Sequence, residues 1–216
     1  MNKTLLTVTA LWWLIIWWVS TYIDPLMLSQ SLPLFLLLLA VWYIYGAYTR
    51  YWRRWVSCFA ALGIFSLIIE YIWTTTCRPY GCFEYTLQLW PEIWGKVPIL
   101  LWLIWPVLVL SIWWIISHLS HSYRVRIIWW ILWLLLLDLA LDPVHVVQGI
   151  RDYGISGQRF GVPRSNYLWR VFSWAISIYI CSRFIGKQKT PQALAWGWIF
   201  LLCYFWSQFL ILVLIT

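Results

Sequence analysis

Along the chain, runs of about 20 apolar residues recur between short polar stretches, and this pattern sets the first expectations. The runs fall near 5–23, 32–49, 55–77, 97–117, 127–147, 167–184 and 192–215. A helix that crosses the hydrocarbon of a bilayer needs about 20 such residues, because lipid offers its backbone no hydrogen-bond partner. The pattern predicts an all-α fold, a polytopic membrane helical bundle of about seven transmembrane helices. The first run, from Leu5 to Ile23, is too long for a signal peptide and no small-residue cleavage site follows it, so it is expected to remain as an anchor. No linker, low-complexity stretch or internal repeat is visible, and residues 1–216 read as a single integral membrane domain.

Charge adds an orientation. Taking alternate loops, one side holds nine basic residues (Lys3, Arg50, Arg53, Arg54, Arg124, Arg126, Arg183, Lys187 and Lys189) and the other five (Arg78, Lys96, Arg151, Arg159 and Arg164). Short basic loops stay in the cytoplasm, so the N-terminus is expected inside and, with seven spans, the C-terminus outside. Composition agrees with a membrane protein: 63% of residues are apolar and 10% charged, against about 25% charged in a soluble domain. The net charge of +8 then reports topology and affinity for anionic headgroups, and nucleic acid is not expected as a partner. Of the 22 tryptophans, the doublets Trp12–Trp13, Trp17–Trp18, Trp113–Trp114 and Trp129–Trp130 read as lipid-facing or interfacial anchors.

The acidic residues are distributed unevenly. Glu84, Glu92 and Asp152 lie in the outer loops, and Glu70, Asp138 and Asp142 lie in the halves of spans 3 and 5 that lead to them; only Asp24 stands apart. An acid within a span costs about 2.5–3.5 kcal/mol on insertion, so each is expected to be paired, protonated or facing a wet cavity. Asp138 and Asp142, four residues apart, share one helix face. Asp142 precedes Pro143 and also fits the N-cap of a short new helix. Glu70 and Asp138 have no such capping role and are the stronger functional candidates.

Three histidines are too few for the clustered ligands of a di-iron site. His118 and His121, or Asp138 and Asp142 with His145, have spacings compatible with a cation, but an acid cluster bonded within the protein is the better reading, and no metal is expected. Cys77 and Cys82 share an outer loop where a disulfide is open to them; Cys58, Cys181 and Cys203 read as small apolar residues of helices. The outer segments 77–85, 90–98 and 157–166 are too apolar for free linkers and are expected to be packed or re-entrant.

Two blocks resemble the carotenoid hydratases of bacteria and archaea, a family that includes γ-carotene 1′-hydroxylases and bisanhydrobacterioruberin hydratases. The first joins Glu70, Thr76, Pro79, Gly81 and Tyr85 to Leu89, Pro91, Gly95, Val97 and Pro98; the second joins Asp138, Asp142, Pro143 and Gly149 to Gly161, Val162, Pro163 and Asn166. The segments 1–60 and 190–216 resemble that family in hydropathy alone. The resemblance implies a protein of the cytoplasmic membrane that adds water across the terminal double bond of an acyclic carotenoid, or of another polyprenyl lipid, to leave a tertiary alcohol. It implies no cofactor. A protonated acid would give its proton to the alkene, aromatic faces would stabilise the cation, and a second acid would hold the water. Glu70, Asp138 and Asp142 are the expected acids, with Tyr85 and Asn166 completing the polar network. Trp73, Pro79, Gly81, Trp90, Gly161, Val162, Pro163 and Trp169 are the expected substrate contacts.

Departures from the pattern fall in the same blocks. The family has glycine where this chain has Trp73, Cys77, Trp90 and Trp169, and a G-x-W-x-W where it has Gly149, Arg151 and Tyr153. Each glycine-to-tryptophan exchange reshapes the pocket. The alternative function is therefore a non-catalytic pigment-binding subunit that works with partner membrane subunits. A proton-relay transporter is less favoured, because no inverted repeat is visible.

Overall fold

A computed structural model describes residues 52–78, 82–85, 91–119, 122–147, 151–154 and 161–186. Four helices dominate: α1 (Trp52–Thr76), α2 (Leu101–Leu119), α3 (Tyr123–Val147) and α4 (Arg164–Phe184). They correspond to the runs at 55–77, 97–117, 127–147 and 167–184. The expected spans at 5–23, 32–49 and 192–215 lie outside the described residues, as do Pro79, Gly81 and Trp90. Among the described residues one segment, Arg53–Thr76, is both long and apolar enough to cross a membrane, and Leu101–Trp113 is apolar but shorter.

α1 packs on α2 and α4, α2 on α3, and α3 on α4. Small residues make the α1–α2 seam close. A Cβ added at Gly63 would stand 2.1 Å from Trp102 Cδ1 and 2.7 Å from the Trp102 carbonyl oxygen. That carbonyl lacks its usual helical donor, because the residue four positions on is Pro106. One turn along α1, the buried Ser66 hydroxyl donates to the Gly63 carbonyl (2.8 Å) and lies 3.1 Å from that of Leu101.

Two short antiparallel ribbons sit at one end of the helices. β1 (Glu84–Tyr85) pairs with β4 (Arg151–Asp152), placing Tyr85 opposite Arg151 and Glu84 opposite Asp152. β2 (Glu92–Ile93) pairs with β3 (Val97–Pro98), so the start of the run at 97–117 is ribbon and the helix begins at Leu101. Trp94 and Gly95, in the connecting turn, both take left-handed φ (54° and 65°). The Cys77–Cys82 disulfide ties the end of α1 to the start of β1. Of the apolar segments expected to be packed, the described parts are packed in part: Phe83, Tyr85, Val97 and Val162 are buried, whereas Trp94 is exposed, and residues 79–81, 90 and 157–160 lie outside the described residues.

Three sequence expectations need correction. α3 runs unbroken through Pro143 to Val147, so Asp142 caps no new helix. Trp113 and Trp130 are buried against each other with ring centroids 4.6 Å apart, while Trp129 is exposed, so only that last residue of the three fits the anchoring role. Arg151, counted above as a loop charge, is buried with its side chain turned into the protein.

Candidate active site

α4 exposes Leu168, Phe172 and Tyr179 and buries Asn166, Arg170, Ser173, Trp174 and Ser177. The buried set recurs at helical spacing, so α4 turns a polar stripe inward. The same inversion holds in α1, which buries Ser66 and Glu70 but exposes Ile64, Ile68 and Ile72, and in α3, which buries Asp138 and Asp142 but exposes Leu132, Leu136 and Leu139. Three polar stripes thus converge between the helices, and the β1–β4 ribbon covers them.

The convergence is an ion-pair network. Arg151 donates through Nη1 to Asp142 Oδ1 at 2.8 Å and lies 3.6 Å from Glu70 Oε1. Arg170 reaches Glu70 Oε1 at 3.3 Å and Asp142 Oδ1 at 4.0 Å. Two carboxylates and two guanidiniums therefore form a set whose formal charges cancel, the condition under which such groups tolerate burial. The Tyr85 hydroxyl donates to Glu70 Oε2 and accepts from Arg151 Nη2, both at 2.8 Å. Burial raises the Tyr85 phenol well above its ordinary value; Arg151 opposes that shift and Glu70 adds to it, so the phenol remains a donor. Asn166 Nδ2 donates to Asp142 Oδ2 at 2.5 Å.

The third acid is placed differently. Asp138 has no ion pair among the described residues, and its Oδ2 accepts from the indole N–H of Trp174 at 2.5 Å. Trp174 is stacked on Trp105, with centroids 4.1 Å apart and planes at 18°. Trp105 donates to the Ser177 hydroxyl at 3.0 Å. The Arg170 guanidinium lies 5.1 Å from the centroid of Trp73 and 5.4 Å from that of Trp105, within cation–π range of both.

All five expected polar residues, Glu70, Asp138, Asp142, Tyr85 and Asn166, are thus gathered in one buried cluster. Trp73 joins it, fully buried beneath Arg170. Gly161, at φ 72°, and the buried Val162 and Pro163 form the turn into α4; a Cβ on Gly161 would stand 3.3 Å from Val146 Cγ1. Trp169 is not part of the cluster: it is 41% exposed and packs edge-on against Phe172. The sequence marked Arg151 only as a loop charge and, with Tyr153, as a departure from the family pattern, and it singled out neither Arg170 nor the Trp105–Trp174 pair. Arg170 lies inside the run at 167–184, so the argument that singled out Glu70 applies equally to it.

The described helices thus bury three acids, two arginines and a stacked pair of indoles in one cluster. The chain belongs to the carotenoid biosynthesis protein family, whose model matches residues 30–216. That match takes in 30–60 and 190–216, which the sequence reading linked to carotenoid hydratases by hydropathy alone. Bisanhydrobacterioruberin hydratase of Haloarcula japonica is 32% identical over 132 residues, covering 59% of this chain and 45% of that protein. The chain thus matches a little under half the length of that curated relative. No solved structure matches.

Proposed function

We propose that this protein hydrates the terminal double bond of an acyclic carotenoid end group, with Asp138 as the proton donor. The observation that carries this assignment is the difference among the three acids. Glu70 and Asp142 each form an ion pair with arginine, whereas among the described residues Asp138 forms no ion pair within 4.0 Å and accepts a hydrogen bond from an indole N–H. The Asp138 proton adds to the less substituted alkene carbon and leaves a tertiary cation beside the face of Trp174 turned away from Trp105, which stabilises positive charge. Water attacks that carbon and gives its proton to Asp142, which then returns it to Asp138, one helical turn away, so that alkene plus water yields alcohol. Acid–base residues suffice for this balance, and no organic cofactor is required.

The site is proposed to open from the bilayer, within the seven-span bundle with a cytoplasmic N-terminus that the sequence predicts. The inverted faces of α1, α3 and α4, apolar outside and polar within, support a lipid surround. A carotenoid dissolved in the same lipid reaches the pocket without crossing water.

Expression in a lycopene-producing host, with hydroxylated product followed by mass, tests the reading. The wild type is expected to form the alcohol, and Asp138→Asn to lower its formation at least ~100-fold. Unchanged product from both Asp138→Asn and Glu70→Gln would overturn the assignment. Pigment retained in mild detergent with no product would select the binding-subunit role instead.

A further inference from the structure

Besides Arg151 Nε, two buried oxygen atoms of the cluster have no hydrogen-bond partner among the described residues: the Tyr153 hydroxyl and Asn166 Oδ1. Both belong to residues at most 3% exposed. Buried groups of this kind are normally satisfied by protein or by an ordered water, so an unpartnered pair in one small region marks a place where water binds.

Their positions follow from the ribbon and α4. Tyr153 stands two residues beyond Arg151 on an extended segment, so the two side chains project to the same face. Phe83, two residues before Tyr85, extends the register on the opposite strand, and the Phe83 and Tyr153 rings are 5.3 Å apart. Asn166 donates its amide N–H to Asp142 Oδ2, so its carbonyl oxygen belongs to an amide group anchored on that carboxylate. Burial, and next the charge of Asp142 close by, raise the Tyr153 phenol above its ordinary value, so it is present as O–H.

We infer that Tyr153 and Asn166 bind the water consumed in the reaction and hold it against Asp142. This rests on the hydratase reading above. The water donates one hydrogen to Asn166 Oδ1 and the other to Asp142, whose carboxylate has lone pairs beyond those used by Arg151 and Asn166. It accepts from the Tyr153 hydroxyl and keeps one lone pair for the cationic carbon. As the carbon–oxygen bond forms, the hydrogen directed at Asp142 transfers to it.

Partitioning of the cation tests this. A cation that is not captured loses a proton and returns to alkene, and in D2O the recovered alkene then carries deuterium. Purified protein in detergent is given lycopene in D2O, and alcohol and deuterated lycopene are both measured by mass. Tyr153→Phe is expected to cut alcohol at least 10-fold while the ratio of deuterated lycopene to alcohol rises at least 10-fold. The ratio is independent of how much protein folds. Phe83→Leu, which loosens the packing and keeps the hydroxyl, is expected to leave the ratio where the wild type has it. A Tyr153→Phe ratio equal to wild type would overturn the inference, as would loss of both alcohol and label in a variant that melts like wild type. A wild-type protein that yields neither alcohol nor label would instead overturn the hydratase reading itself.

Discussion

Removing Arg170 together with Glu70 should cost the protein clearly less than the two single removals combined. In Arg170→Met, Glu70 and Asp142 are left to share Arg151, so one buried carboxylate loses its counter-charge, a cost of about 3–5 kcal/mol. The contacts over Trp73 and Trp105 add about 0.5–1 kcal/mol each. Glu70→Gln takes from Arg170 its 3.3 Å ion pair and leaves the longer 4.0 Å approach to Asp142, and costs about 3–5 kcal/mol by the same reasoning. In the double variant Asp142 and Arg151 remain paired at 2.8 Å, and the thioether brought in by Arg170→Met still lies against two indoles. Its loss is expected to fall about 3 kcal/mol or more short of the combined single losses. Unfolding of the four proteins in mixed micelles, followed by tryptophan fluorescence, closes the cycle. Losses that add to within ~0.5 kcal/mol would mean that Glu70 and Arg170 do not share their charge, and would refute the network.

Two further outcomes follow from the frame around the site. Gly63→Ala places a methyl group against the Trp102 backbone as well as its ring, so α1 and α2 must separate; a loss of about 1–3 kcal/mol is expected in thermal melts, whereas Gly95→Ala, which meets no atom within 4 Å, is limited to the strain of its positive φ. Cys77→Ser with Cys82→Ser opens a short loop with a sequence separation of 5, for which chain entropy gives about 2 kcal/mol. The doubly substituted protein is expected to melt lower than the oxidised wild type, and a melting point insensitive to reductant in the wild type would contradict that role.

Much of the helical frame could be read from apolar runs, and the errors have physical causes. The apolar runs begin after Arg54, Arg126 and Arg164, although all three arginines lie within the helices, because arginine tolerates helical conformation well. Val97 and Pro98 are apolar and buried, which is why composition could not separate ribbon from helix there. The acids at the site were visible because a carboxylate in an apolar run is conspicuous. Their counter-ions were not: Arg151 counted as one loop charge among several, and only the ribbon register shows it opposite Tyr85. Trp105 and Trp174 were two indoles among 22, and nothing in local sequence distinguishes a stacked pair from an anchor.

Glu70 and Arg170 lie 100 residues apart, which bears on how the chain is made. At about 5–20 residues per second, a ribosome completes α1 roughly 5–20 s before α4 emerges. In a chain inserted helix by helix, Glu70 would spend that interval without Arg170, and with Arg151 only near its end. In such a chain the finished helix would wait at the insertion machinery for its partners. Shortening the interval, by joining α4 to α1 in a circular permutant, would relieve that wait and raise the yield of inserted protein.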